Sequence, residues 1–222
     1  MGSSPVDPSS PAPEIVQWDV ARHAYRPPRF VQRDRRGVHA ALLLLTVATT
    51  TQAGALHYLG FVTGFAAEPP AISWVSLAAH GLWYSVTLLA ILGCHELGHY
   101  YACRYYDIDA SRPYFLPMPF LLTGTLGAFI RIREPITTKR ALFDIGIAGP
   151  IAGFVVAVPA LLVGMHLSTV ARVPDSFQGD LYELGEPLLF KAVSYLTFGS
   201  VPDGFTVDLH PMAFAAWFGF LA

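Results

Sequence analysis

The chain has 222 residues, 53% of them hydrophobic and only 14% charged, with a net charge of -2 and a mean hydropathy of +0.45. That is too apolar for an ordinary water-soluble domain and fits an all-α polytopic membrane protein. Nothing in so neutral a charge points to nucleic acid.

Residues 1–37 are polar and proline-rich and end in a basic flank, Arg29, Arg33, Arg35 and Arg36. They lack the early apolar core of a cleavable signal peptide and read as a disordered tail. Residues 38–222 read as one membrane-embedded domain. Its first span is expected from about Val38 to Leu59, with a polar cluster of Thr46, Thr49, Thr50, Thr51 and Gln52 available to bond a neighbouring helix. A short connection with Glu68, Pro69 and Pro70 follows.

The second span is expected from Trp74 to about Ala102, longer than the roughly 20 residues a crossing needs. Within it stands His95-Glu96-Leu97-Gly98-His99, an H-E-x-x-H motif. Residues four apart share a helix face, so His95 and His99 can reach one metal ion. Glu96 beside them is placed to take a proton from water rather than to bind metal. The bland alternative, two core histidines and a stray glutamate, leaves Glu96 inside hydrocarbon with no Lys or Arg within a turn. Cys94 and Cys103, about 13 Å apart at a helical rise, are too distant for a disulfide and read as reduced packing residues.

Three prolines in Arg112–Leu122 exclude a regular helix from a strongly apolar stretch. The alternation Ile130, Arg131, Ile132, Arg133 and the turn-permitting Gly124 and Gly127 predict a hairpin-like loop over 124–133 that dips into the inner membrane face. The bland alternative is a plain surface hairpin. A third span is expected from Ala141 to Met165, kinked at Pro150, whose Gly149-x-x-x-Gly153 with Gly146, Ala148 and Ala152 makes a smooth face for a close helix contact. Residues 167–205 are acidic, with a short interfacial helix over Leu188–Phe198. A fourth span begins near Asp208 and reaches Ala222 unfinished.

Six Lys and Arg residues precede the first span, six lie between the second and third, and only Arg172 and Lys191 fall elsewhere. That bias puts the N-terminus and the 103–140 loop in the cytoplasm and the motif in the cytoplasmic half of the bilayer.

The intramembrane H-E-L-G-H-Y of residues 95–100, the loop Gly124-Thr125-Leu126-Gly127-Ala128-Phe129-Ile130 and the segment Phe143-Asp144-Ile145-Gly146-Ile147-Ala148-Gly149-Pro150 together resemble the site-2 protease family of intramembrane zinc metalloproteases. The resemblance covers roughly residues 38 to 222. It implies Zn2+ as cofactor, His95 and His99 as zinc ligands, Glu96 as the general base, and transmembrane protein segments as substrates. It also implies that the 111–133 segment is a re-entrant substrate-guiding loop carrying Gly124, Gly127, Phe129 and Ile130. A bacterial cytoplasmic membrane is the expected location. One departure stands out: the family's third ligand is an aspartate in an L-D-G motif, and this sequence contains no Leu-Asp-Gly. The aspartate is therefore expected beyond Ala222, in a sequence read as C-terminally truncated; Asp144 is the one substitute within it. The alternative is a catalytically inactive membrane scaffold or metal-binding homologue of the same fold. The oligomeric state is not legible.

Overall fold

The computed structural model describes residues 35–66, 68, 70–174, 185 and 187–221. The expected disordered tail, up to residue 34, and the acidic residues Asp175, Asp180, Glu183 and Glu186 lie outside the described residues.

Three helices are long and apolar enough to cross a membrane: α1 (Arg36–Thr63), α2 (Trp74–Tyr105) and α3 (Lys139–Leu167). Each overruns its expected span by two to four residues at one or both ends, and α1 starts inside the stretch read as tail. Local chemistry sets two of the starts. The Ser73 side chain accepts a bond from the Ser76 amide, and Thr138 accepts one from the Ala141 amide, each satisfying a first-turn donor. Helix α3 runs through both Pro150 and Pro159 without interruption.

Of the polar cluster on α1, Thr50 bonds the neighbouring helix, while Thr46 and Thr49 bond carbonyls within α1. Thr46 and Thr50 are fully buried, and the Thr50 and Ser85 hydroxyls are 2.7 Å apart across α1 and α2. In an apolar setting such a bond ties two helices that hydrophobicity alone would not hold together.

Between α2 and α3 lies an antiparallel hairpin, β1 (Tyr114–Pro117) and β2 (Thr125–Phe129), with Tyr114 opposite Phe129 and Leu116 opposite Gly127. The expected alternation at 130–133 is not part of β2. Ile132 instead bridges to Ala110, with Ser111 donating to the Arg131 carbonyl and Arg133 to that of Asp109. The hairpin lies along α1. Near its base the His39 ring donates from Nδ1 to the Pro113 carbonyl (3.0 Å), and at its tip His57 Nε2 donates to the Leu122 carbonyl (2.9 Å). From residue 39 to residue 57 a helix rises about 27 Å. Midway, Gly124 (φ 73°) is pressed against α1, where an added Cβ would lie 2.5 Å from the Thr49 carbonyl oxygen.

Beyond α3, strands β3 (Thr169–Arg172) and β4 (Phe205–Asp208) pair antiparallel. The segment between them includes α4 (Leu188–Phe198), the short helix expected there. Helix α5 (Pro211–Gly219) follows. Its nine described residues are fewer than the roughly 20 a crossing needs. The amide of His210, just before it, is tied to the Ser168 hydroxyl at the end of α3. Helix α5 runs antiparallel to α3. Its Ala213 packs on Gly164 and its far end reaches Phe154, whose ring centroid is 6.0 Å from that of Phe220. The main buried cluster joins Ile91 of α2, Ala157, Leu161 and Met165 of α3, Phe190 and Val193 of α4, and Ala213 and Ala216 of α5.

Candidate active site

The site is made where α2 meets α3. Gly98 allows the contact: a Cβ there would lie 2.4 Å from the Ala148 carbonyl oxygen. Gly149 gives room to His99, because its own Cβ would sit 2.2 Å from His99 Nε2, and Gly153 lies against His95. The expected small-residue face of α3 is therefore a seat for two imidazoles. Gly146 takes no part in it, since a methyl added there would meet nothing within 4 Å.

The imidazoles are oriented. His99 Nδ1 lies 2.7 Å from the Ile145 carbonyl oxygen. A carbonyl only accepts, so Nδ1 carries the proton and Nε2 presents a lone pair. That Nε2 lies 3.1 Å from Nε2 of His95. Two nitrogens bound tetrahedrally to one zinc ion at about 2.0–2.1 Å would stand about 3.3 Å apart. A backbone carbonyl fixing the far nitrogen of a ligating histidine is the usual outer-shell arrangement of a metal site. The pair thus fits two adjacent ligands of one metal ion. Among the described residues no group of three His, Cys, Asp or Glu side chains is placed to hold a metal.

Glu96 is buried at 9% exposure, and its carboxylate is hydrogen-bonded to the backbone of Ile130 just past β2. Of the expected loop residues, only Ile130 is brought to the motif in this way. Gly124 packs on α1, Gly127 stands opposite Leu116, and Phe129 stacks on Tyr114 at 5.3 Å. Asp144, the substitute ligand, is engaged elsewhere: it accepts a hydrogen bond from the Tyr106 hydroxyl and lies 3.8 Å from Arg140. That bond raises the Tyr106 pKa above the ordinary phenol value. His57, His80 and His210 sit among aromatic rings, with His80 stacked on Tyr58 at 4.1 Å and His57 edge-on to Phe214 at 4.5 Å. Both cysteines are free. The Ile145 carbonyl is the participant that sequence reading missed, since a backbone acceptor leaves no residue-type signal.

The sequence profile of peptidase family M50 matches residues 83–218, more than half of the chain, which takes in most of α2, the hairpin, α3 and all but the last residue of α5. The chain belongs to peptidase family M50. Among curated relatives it is 31% identical over 199 residues to "Probable zinc metalloprotease EGY1, chloroplastic" of Arabidopsis thaliana, covering 80% of this chain and 34% of the relative. It is 35% identical over 141 residues to the protein of the same name from Oryza sativa subsp. japonica, covering 60% and 23%. To "Probable zinc metalloprotease EGY2, chloroplastic" of Arabidopsis thaliana it is 26% identical over 178 residues, covering 76% and 31%. The chain therefore spans about a third or less of the length of these relatives. The chloroplast location in their names differs from the bacterial cytoplasmic membrane expected for this chain. No solved structure matches it.

Proposed function

We propose that this protein is a zinc metalloprotease that cleaves membrane-spanning segments of other proteins within the bilayer. The observation that carries the reading is the convergence of His95 and His99 Nε2 at 3.1 Å, one of them oriented by the Ile145 carbonyl, inside a helix apolar enough to cross a membrane. His95 and His99 hold the zinc. When bound, the zinc supplies a Lewis acid that polarises the scissile carbonyl and makes water acidic enough to react near neutral pH. Glu96 is the general base that takes the proton of the attacking water. A third ligand is required, and we assign it to an aspartate on a helix continuing α5. Support comes from the course of α5, whose Gly219 packs on Ile91, one turn from His95 on α2.

The hairpin is read as a re-entrant loop, supported by its alignment along about 27 Å of α1. Irregular backbone at that depth is tolerated where it packs on protein or a wet cavity. Among the described residues β2 pairs with β1 alone, which leaves its second edge for an extended substrate strand. Strand addition there would hold an unwound substrate beside Ile130 and Glu96. The N-terminus and the 103–140 loop face the cytoplasm in this reading, and α5 begins the fourth span.

The test uses the full-length protein and a membrane-spanning substrate. Glu96→Gln should retain zinc and lose cleavage, by about a hundred-fold or more, because an amide cannot accept the water proton. Wild-type turnover in that variant excludes Glu96 as the base. Zinc retention without any cleavage by the wild type would instead favour a metal-binding scaffold.

A further inference from the structure

On its other side α2 borders an open cavity of about 330 Å³, separate from the histidine pair and lined also by α1 and β1. Its lining divides by chemistry. Arg36, His39 and Arg112 are cationic or polar, while Leu43, Leu97 and Phe115 are apolar. Arg36 is the first residue of α1, so the polar end lies where a membrane-crossing helix meets the headgroup layer. His39 is fixed in the wall by its Nδ1 bond to the Pro113 carbonyl and by stacking on Tyr114 at 4.0 Å. Its Nε2 is buried with no hydrogen-bond partner among the described residues. The apolar wall is half-open, with Leu43 38% and Leu97 37% exposed.

Two guanidinium groups suit the oxygens of a phosphate. A free phosphate would use only the polar end and leave Leu43, Leu97 and Phe115 wet. A phospholipid uses both ends, with its phosphate at the arginines and its upper acyl chain along the leucines. We propose that this cavity is a binding site for one anionic phospholipid, with Arg36 and Arg112 on the headgroup phosphate and Leu43, Leu97 and Phe115 on the chain. The inference rests on α1 and α2 being membrane spans, and not on zinc or on proteolysis. Whether the protein requires detergent for extraction tests that premise independently.

The experiment is native mass spectrometry of the detergent-purified full-length protein, titrated with phosphatidylglycerol, phosphatidylcholine or inorganic phosphate. The wild type should retain one phosphatidylglycerol in preference to phosphatidylcholine. Arg36→Gln should weaken that binding about five-fold, and Arg36→Gln with Arg112→Gln about twenty-five-fold. Arg36 is exposed, so its variant tests the site without threatening the fold. Gly93→Leu, which fills the cavity from α2 with the charges intact, should also abolish retention, whereas Arg35→Gln, outside the cavity, should leave it unchanged. Equal retention of the two lipids overturns the proposal. So does equal weakening by Arg35→Gln and Arg36→Gln, which would mean diffuse surface attraction. Displacement of the lipid by millimolar inorganic phosphate would reassign the cavity to the free anion.

Discussion

The two sides of α2 solve opposite problems with the same residue type. Toward α3, Gly98 lets backbone touch backbone, and an added Cβ would lie 2.4 Å from a carbonyl oxygen that cannot move without bending α3. Five residues earlier, toward β1, a Cβ on Gly93 would meet only the Phe115 ring edge at 3.6 Å, an ordinary contact. Close packing on the first side fixes two imidazoles to within hydrogen-bonding distance of each other. Loose packing on the second leaves a cavity. The difference shows that the imidazoles sit at one of the bundle's close helix contacts and the cavity at a place where α2 lacks one.

The largest effect that would sharpen this contrast comes from substitutions on the tight side. Gly149→Ala places a methyl 2.2 Å from His99 Nε2 and must rotate that ring off its Ile145 partner. We expect zinc affinity to fall about ten- to a hundred-fold, measured by competition with a chelator. Gly98→Ala, forced against the Ala148 carbonyl, should lower stability by about 1–3 kcal/mol. Gly93→Ala and Gly146→Ala should leave both quantities unchanged. A silent Gly149→Ala, or a Gly93→Ala as damaging as Gly98→Ala, would break the comparison.

A smaller effect belongs to the Thr50 and Ser85 pair, which tests whether α1 is held to α2 by polar contact as well as by packing. A double-mutant cycle with Thr50→Val and Ser85→Ala should give a coupling of about 0.5–1.5 kcal/mol in unfolding measurements. Zero coupling would assign that interface to packing alone.

The smallest effect lies far from the metal, at Asp208 in β4. Burial pushes its carboxyl pKa up to about 6. A carboxyl whose folded pKa is raised stabilises the fold while protonated, fully so below its unfolded pKa near 4. That contribution is lost as pH rises through about 6. Wild-type stability should therefore decline between about pH 4 and 6 by an amount that Asp208→Asn removes, read from thermal unfolding across that range. Identical pH profiles in the two proteins would place Asp208 in water.

The parts of this fold that local pattern governs were legible in the sequence. Three long apolar runs became α1, α2 and α3, Leu188–Phe198 became α4, and H-E-x-x-H put two imidazoles on one face. Gly149 and Gly153 announced a close contact without saying that its partners would be His99 and His95. What escaped depends on atoms remote in sequence. The pairing of Thr169–Arg172 with Phe205–Asp208 joins two four-residue strands across more than 30 residues, too short and too distant for a periodic signal. The alternation of Ile130 to Arg133 pointed to a strand, yet the chain there turns back to bond residues 109–111, because main-chain partners and not side-chain pattern decide the pairing. The cavity beside Gly93 is set by three elements at once and has no sequence signature.

Everything proposed for the site depends on His95 and His99 being neighbouring ligands of one zinc ion. Zinc content by elemental analysis of the purified full-length protein, beside the His95→Ala/His99→Ala variant, tests this most directly. The wild type should carry about one zinc per chain and the double variant almost none, with its fold retained by circular dichroism. Stoichiometric zinc in a folded double variant would contradict the ligand assignment.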